Sequence, residues 1–426
     1  MRSEEARALG AVAAEAVSGG AARAEELHRA IARRVFAASG PAALPVRLAH
    51  DAICSGVYAT VRAASSAAAR LGGAALAAAR PADARSVTAG RRGSALLGAL
   101  NGAFGDAIHE RHRVLSPTLA VRRDGHDVAL APGAMRAAFP AASGRLVVLV
   151  HGLGQTEHSW QRRDHAHGHE QPASYATLLE RDLGLTAVVL RYNSGRHISD
   201  NGQELASLLG DLVAAWPVRV ASLALVGHSM GGMVIRSALH HSQLGEADWL
   251  ARVEHVVSLG SPYRGAPLER ATNKVTWALG RLPETAPLAR LVNLRAAGVK
   301  DLRFGALLRE DWDGTDPDDL GRDTAGDVHH LSSAQHFCVS ATLGATENHV
   351  LGRLLGDVLV PPSSAAGSGR SARRAPLAFD DAAHFAGLSH FDLLNHPAVY
   401  ARLRAWLAPR PQRRLEAGPA PGLLRC

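Results

Sequence analysis

The chain has 426 residues, more than one typical domain, so two or three structural units are expected. The hydrophobic fraction of 47% is ample for a core, and the net charge of +8 comes almost wholly from arginine, because Lys274 and Lys300 are the only lysines. No run of five basic residues occurs. Scattered solvated charge is therefore favoured over a nucleic-acid-binding face, and no nucleic-acid partner is expected.

The cysteines and the N-terminus bear on the compartment. Cys54, Cys338 and Cys426 are widely spaced and fit neither a disulfide framework nor a zinc site. The first residues lack the apolar segment of a secretory signal, and the alanine-rich stretch 56–79 is too weakly apolar to span a bilayer. We therefore expect a cytoplasmic protein and leave peripheral membrane contact open.

Residues 1–115 are predicted to form a helical region. Alanine dominates, and Val46, Leu48, Ile53, Val57 and Val61 recur at helical spacing. Two interpretations stay open: a helical layer packed on the rest of the chain, or a module that binds a partner or an acidic membrane. No residue in this region suggests chemistry.

Strands alternate with helices from residue 116 to residue 408. An Asp124-Gly125 turn predicts a hairpin, and apolar runs predict further strands. The predicted strands are 118–121, 128–130, 145–150, 186–190, 222–226, 253–259 and 336–342, and the predicted helices are 203–215, 233–241 and 398–407. This alternation indicates a mostly parallel sheet with helices on both faces.

The alternation lapses between residues 262 and 335, which indicates an insertion that could form a cap or lid. Short helices are predicted at 268–279 and 286–294, where leucines could wall an acyl pocket or pack as an ordinary helix pair. The acidic run 310–319 does not match an EF-hand loop, so a solvated loop is favoured over a calcium site. Residues 409–426 are predicted to be a disordered basic tail.

The segment Gly227-His228-Ser229-Met230-Gly231 lies between a predicted strand and a predicted helix. A serine at the apex of such a turn is exposed above a parallel sheet, and the flanking glycines allow a strained backbone and close packing. The helix N-terminus behind it favours negative charge in front of it. Although a pentapeptide is a weak pattern alone, this context predicts a nucleophile elbow with Ser229 as the nucleophile of a serine hydrolase.

Acyl transfer by a serine also needs a base, an acid that orients the base, and an oxyanion hole. The turn at His151-Gly152-Leu153-Gly154 follows a strand, so the Leu153 N–H is the expected oxyanion donor, with the Met230 N–H as the second. His151 itself is expected to hold that turn rather than to act as base.

The base is expected among the late histidines. His390 is preferred, because it lies in a loop just before the last helix and suits a final strand–loop–helix segment. His384 is the alternative, and His396 is expected to cap that helix. The acid is predicted to be Asp357, with Asp380 and Asp381 as alternatives that crowd the histidine in sequence.

Five ordered segments carry a resemblance to a known family. They are Val147 to Gly154, Leu225 to Gly232, Leu259 to Pro267, Gly356 to Pro361 and Ser389 to Leu394. With these motifs the chain resembles the α/β-hydrolase superfamily in its lipase/esterase branch, and especially PGAP1-like and triacylglycerol lipases.

The resemblance implies an α/β-hydrolase fold and a triad of Ser229, Asp357 and His390, with Leu153 and Met230 as oxyanion donors. It implies cleavage of carboxylic esters of lipid-like or acyl type without a cofactor or metal. The alternatives are an amidase, thioesterase or acyltransferase on the same triad, or a non-catalytic binding module of the same fold.

Alternate histidines in Asp164-His165-Ala-His167-Gly-His169-Glu170 could bind zinc or copper. Because the segment follows the His151-Gly152 turn, where active-site loops run, a polar surface loop is the favoured interpretation.

Overall fold

An eight-stranded sheet forms the centre of the computed structural model, which describes residues 1–162, 173–321, 323, 325–342 and 376–409. The strand order is β2-β1-β4-β3-β5-β6-β7-β8. β1 pairs antiparallel with β2 and with β4, and the other pairs are parallel. The strands are β1 Ala120–Arg123, β2 His126–Val128, β3 Arg145–Val150, β4 Thr186–Arg191, β5 Ser222–His228, β6 Val253–Leu259, β7 Gln335–Thr342 and β8 Asp381–Ala386.

Helices cover both faces of the sheet and form the N-terminal region. They are α1 Ser3–Ala38, α2 Leu44–Ala78, α3 Arg91–Arg111, α4 Pro132–Ala138, α5 Tyr175–Leu183, α6 Ile198–Ala215, α7 Met230–Leu244, α8 Pro267–Leu279, α9 Ala286–Val292, α10 Ala297–Asp301 and α11 Pro397–Leu407. Short 3-10 helices occur at Pro41–Ala43, Val87–Ala89, Arg113–Leu115, Glu157–Gln161, Asp248–Arg252, Arg309–Asp311 and Asp392–Leu394.

β3 shows how the sheet builds two cores. Leu146, Val148 and Val150 face one core with α6 and α7, whereas Val147 and Leu149 face the other with α5 and α11. All five side chains are fully buried. A strand whose alternate residues are apolar on both faces is the continuous run that a buried parallel strand requires. The carboxyl ends of β3 to β8 consequently meet at one edge of the sheet.

Most predicted elements are confirmed. The turn residues Asp124 and Gly125 both have positive φ, at 50° and 78°, as a two-residue hairpin demands. β8 has no counterpart among the predicted strands, because only Ala383 of its six residues is buried and the apolar pattern is weak. The domain boundary near residue 115 stays a prediction. Asp357 and residues 410–426 of the predicted tail lie outside the described residues.

The long helices α1 and α2 form an antiparallel hairpin with small residues at its interface. Ala6, Gly10 and Ala14 of α1 are buried, as are Gly73 and Ala77 of α2. The large apolar residues lie on the outside, and Val46 and Ile53 are 63% and 66% exposed. The predicted apolar stripe of α2 therefore does not pack on the sheet domain. Among the described helices, none has both the length and the apolar character to cross a lipid bilayer.

Helix α9 and α10 join the insertion to the N-terminal helices. The Arg290 guanidinium lies 2.6 Å from Glu26 of α1, and the Arg34 guanidinium lies 2.8 Å from Glu284. The Ala297 amide donates to Asp106 of α3. The insertion thus bridges the hairpin and the sheet domain.

The close approach of α1 and α2 makes a stability prediction. A β-carbon on Gly73 would lie 2.8 Å from Gly10 Cα and 2.9 Å from the Ala6 carbonyl, and backbone atoms cannot swing aside. We expect Gly73→Ala to lower the free energy of unfolding by about 1–3 kcal/mol. In Gly72→Ala the new methyl meets no atom within 4 Å, so stability should rise by up to about 1 kcal/mol. Urea unfolding of the two variants checks this prediction. Equal changes in the free energy of unfolding would contradict close packing of α1 against α2 at Gly73.

Candidate active site

Ser229 lies at the turn between β5 and α7 with backbone angles of φ 53° and ψ −123°. A non-glycine residue rarely adopts positive φ, so the surroundings must enforce it. The Ser229 N–H donates to the Leu259 carbonyl at the end of β6, at 2.8 Å, and the Ser229 carbonyl accepts from the Gly232 N–H. The serine is half-buried and occupies the N-cap position of α7, where its side chain makes no capping hydrogen bond to a described residue.

Glycines allow this turn to pack against neighbouring strands. A β-carbon on Gly231 would collide with the carbonyls of Val150 and His151, and one on Gly232 would collide with the Ser261 hydroxyl. A β-carbon on Gly152 would lie 3.0 Å from Ser229 Cβ. The His151-Gly152 turn after β3 therefore lies directly against the serine.

The turn at residues 151–154 presents the predicted oxyanion donor. The Gly152 N–H donates to Gln155 Oε1 and the Gly154 N–H to the Ser194 hydroxyl. Neither the Leu153 N–H nor the Met230 N–H has a hydrogen-bond partner within the part of the chain that the structure describes. These two amides are thus available to an oxygen in front of Ser229.

His151 has both ring nitrogens occupied. Its Nδ1 lies 2.9 Å from the Gly152 carbonyl, its Nε2 accepts from the Tyr192 N–H, and its ring stacks on Tyr192 at 4.4 Å. Complete burial lowers its pKa to about 4. This contact set agrees with the expectation that His151 holds the turn.

His228 connects the elbow to the loop of His390. Its Nε2 donates to the His390 carbonyl at 3.0 Å, and its Nδ1 lies 3.2 Å from Gln155 Oε1. Burial lowers the pKa of His228 well below its ordinary value, and the nearby His390 ring lowers it further. His228 is consequently neutral near pH 7.

The His390 imidazole lies beside the elbow. A β-carbon on Gly260 would be 3.1 Å from both Nδ1 and Cε1 of His390, and Gly260 follows the residue whose carbonyl holds the Ser229 amide. The His390 ring is 4.7 Å from that of His228 and almost fully buried. The structure therefore brings the predicted nucleophile, base and oxyanion donors to one edge of the sheet.

Buried tyrosine and asparagine side chains fix the loop that carries His390. The Tyr175 hydroxyl donates to the Leu393 carbonyl and accepts from the His396 N–H, at 3.2 and 2.9 Å. The Asn395 amide donates to the Ala173 carbonyl. These contacts position His390 through α5 and the segment just before it.

The alternatives for base and acid lie elsewhere. His384 is in β8, with its ring nitrogens 2.9 Å from the Ser340 hydroxyl and 3.2 Å from the Thr342 hydroxyl. His396 caps α11 by accepting from the Ala398 N–H, as expected. Asp380 and Asp381 lie at the amino end of β8, opposite the Ser229 edge. Asp357 and the histidines of 164–170 lie outside the described residues.

Helix α3 packs against the sheet edge that carries Ser229, a role that sequence patterns did not predict. A β-carbon on Gly102 would lie 2.6 Å from Gly154 Cα, and one on Gly98 would lie 2.7 Å from the Thr156 methyl. The Asn193 amide, just after β4, donates to the Gly105 carbonyl. The glycines spaced three to four residues apart at 98, 102 and 105 are the sequence pattern that could have indicated this helix face.

The insertion contains a cavity of about 470 Å³ between α10 and the acidic run, and its lining includes His197, Asp301 and Trp312. None of the predicted site residues lines it. Carboxylates of the acidic run make local contacts: Asp311 accepts from the Leu307 and Leu308 amides, and Asp318 lies 2.9 Å from the Lys300 ammonium. Most residues of the run 310–319 are exposed, as expected of a solvated loop.

Comparison with known families supports the predicted fold. A family model described as "PGAP1-like alpha/beta domain" matches residues 193–317, which include β5, the Ser229 turn and α7. The predicted resemblance is confirmed over this segment. With its mostly parallel sheet and flanking helices, the chain has an α/β-hydrolase fold.

Three solved structures illustrate the neighbours of this α/β-hydrolase fold. The Bacillus licheniformis lipase BlEst2 in mature form is 19% identical, with a TM-score of 0.40 over 63% of this chain and 94% of the lipase. The Legionella pneumophila phospholipase PlaB is 15% identical, with a TM-score of 0.36 over 62% and 60%. A Thermogutta terrifontis esterase is 14% identical, with a TM-score of 0.34 over 62% and 90%. No curated protein gives a significant match.

The buried neutral His151 predicts a pH dependence of stability. Its pKa of about 4 in the folded chain lies below the ordinary value of 6.5, so the unfolded chain binds a proton first as pH falls. Acidification from pH 7 to pH 5 should therefore cost about 2 kcal/mol of unfolding free energy through this group.

Urea unfolding of His151→Gln at pH 7 and pH 5 should show that the loss of about 2 kcal/mol assigned to His151 has disappeared. The matched control is His329→Gln, which changes an exposed histidine of the insertion and should leave the dependence as it is. An unchanged pH dependence in His151→Gln would contradict a neutral buried imidazole.

Proposed function

We propose that the protein is a serine hydrolase that cleaves carboxylic esters of lipid-like or acyl type. The observation that carries the proposal is the backbone of Ser229, held at φ 53° between β5 and α7, with the His390 imidazole against Gly260 beside it. Such a turn directs the serine hydroxyl outward above the sheet edge. The amides of Leu153 and Met230, which have no hydrogen-bond partner among the described residues, support the same proposal.

In the proposed reaction, His390 takes the Ser229 proton as the serine oxygen attacks the ester carbonyl. Negative charge on the carbonyl oxygen is stabilised by the Leu153 and Met230 N–H groups and by the N-terminus of α7. The tetrahedral intermediate collapses to an acyl-enzyme as His390 protonates the leaving alcohol. Water, deprotonated by His390, then releases the acid.

We assign Asp357 as the acid that orients His390, on the order of the motifs along the chain. The neutral state of His228 supports the proposed base, because a second positive charge next to His390 would disfavour its protonation during the reaction. Each oxyanion donor is expected to contribute roughly 10²–10³ in rate.

A fluorophosphonate probe tests the activated nucleophile without knowledge of the substrate. We expect stoichiometric labelling of Ser229, mapped by mass spectrometry, and none in Ser229→Ala. Labelling should be lost in His390→Ala but retained in His384→Ala, which replaces a histidine of β8. In Asp357→Asn the rate at which the probe labels Ser229 should fall on the order of 10⁴-fold.

Full labelling of Ser229→Ala at another residue would refute the assignment of the nucleophile. A well-folded wild-type chain that takes no label would favour the non-catalytic binding module. If labelling succeeds, comparison of ester, amide and thioester substrates separates esterase from amidase and thioesterase activity.

We propose a second role for the α1–α2 hairpin: contact with an anionic lipid surface. Twelve large apolar side chains of the hairpin are exposed, and they include two runs at four-residue spacing, Leu27-Ile31-Val35 on α1 and Ile53-Val57-Val61 on α2. They are Val17, Leu27, Ile31 and Val35 on α1, and Leu44, Val46, Leu48, Ile53, Val57, Val61, Leu71 and Leu76 on α2. Residues 1–80 contain ten arginines against six acidic residues. An apolar stripe within a cationic segment is the pattern of interfacial helices.

Sedimentation of the full chain with vesicles tests this role. We expect binding to phosphatidylglycerol vesicles, weaker binding to phosphatidylcholine vesicles, and loss of binding in the double variant Ile31→Glu, Val46→Glu. Leu244→Glu, which changes a leucine 73% exposed at the end of α7, is the control and should bind as wild type. Equal binding of both variants would reject the hairpin as the lipid-contacting surface.

A further inference from the structure

His28, His50 and Cys54 lie together between the two helices of the N-terminal hairpin. Their nearest ligand atoms are all within 4.8 Å of one another. His28 belongs to α1, and His50 and Cys54 belong to α2, four residues apart and therefore on one face. The wide spacing of the three cysteines argues against a zinc site built from cysteines. It does not argue against this cluster, because two of its three side chains are histidines.

The distance from Cys54 to His50 matches an edge of a metal tetrahedron, and the distance from Cys54 to His28 is slightly longer. Cys54 Sγ is 3.5 Å from His50 Nε2 and 4.0 Å from His28 Nε2. With zinc–sulfur and zinc–nitrogen bonds of about 2.3 and 2.0 Å, tetrahedral geometry places sulfur and nitrogen ligands about 3.5 Å apart. Small side-chain rotations would thus bring all three atoms to bonding distance from one ion.

The second nitrogen of each imidazole is already held by an oxygen atom. His50 Nδ1 lies 3.1 Å from Asp51 Oδ1, and His28 Nδ1 lies 3.3 Å from the Tyr58 hydroxyl. Metal-binding histidines characteristically have such a partner, which fixes the ring and, with a carboxylate, makes the other nitrogen more basic. Both rings consequently present Nε2 towards Cys54.

From this geometry we propose that His28, His50 and Cys54 bind one zinc-class divalent ion. Two imidazoles and one thiolate are a ligand set that suits zinc. The Cys54 thiol releases its proton as the sulfur–metal bond forms. Since the cluster contains no fourth ligand among the described residues, water takes the remaining position. The ion would cross-link α1 to α2, and the proposal is independent of the hydrolase activity.

Cobalt(II) chloride is the probe that separates this site from other histidines. We expect the reduced, metal-stripped full chain to bind one cobalt ion with a thiolate-to-cobalt absorption band. The band should be lost in Cys54→Ser and kept in Cys426→Ser. The histidine-rich segment 158–170 contains no cysteine, so binding there would give no such band.

Both the ligand residues and the residue that orients His50 should contribute to cobalt affinity. His28→Asn and His50→Asn should each weaken cobalt affinity more than 10-fold, and Asp51→Asn should weaken it roughly 10–100-fold. His329→Gln should leave it unchanged. Circular dichroism checks that each variant is folded.

Alkylation of Cys54 gives a second readout in the wild-type chain. Zinc should protect Cys54 from iodoacetamide, with the modified peptide mapped by mass spectrometry. A thiolate-to-cobalt absorption band that survives in Cys54→Ser would overturn the proposal. An alkylation rate of Cys54 that zinc does not change would also overturn it.

Discussion

The positive-φ backbone of Ser229 is the constraint on which the candidate active site depends. Such a conformation costs on the order of 1–3 kcal/mol, so the surrounding structure must hold it. It does so through the hydrogen bond from Ser229 to the end of β6 and through glycines at 152, 231 and 232, where side chains would collide with neighbouring backbone or side-chain atoms. The central strands can approach the start of α7 only because these positions lack side chains.

The same constraint decides which charges surround the serine. Packing the elbow this tightly buries His151 and His228, and burial keeps both rings neutral because a charged imidazole loses its hydration. Their hydrogen bonds then serve to join loops: His151 joins the turn after β3 to the end of β4, and His228 reaches the loop of His390. Buried neutral histidines thus build the site without adding positive charge to it.

Prediction from sequence succeeded where local pattern and tertiary environment agree. β3, β5 and β6 are continuous apolar runs buried on both faces, and the glycines around Ser229 mark a turn that needs them. It failed for β8, an edge strand with little buried surface, and for the support that α3 gives to the turn at Gly154. Contacts between residues distant in sequence, such as His28 with Cys54, have no local pattern to reveal them.

The N-terminal hairpin shows why hydrophobic periodicity can indicate the wrong face of a helix. Large apolar residues of α2 recur at helical spacing, which would normally identify the buried side. Here the alanine and glycine face is buried instead, because small residues let two long helices approach closely along Gly10 and Gly73. The large side chains are left outside as a consequence. Towards the connecting turn, the interface is filled by His28, His50 and Tyr58 rather than by aliphatic residues. That half of the hairpin lacks the close glycine contact and is where a cross-linking ion would add most to its stability.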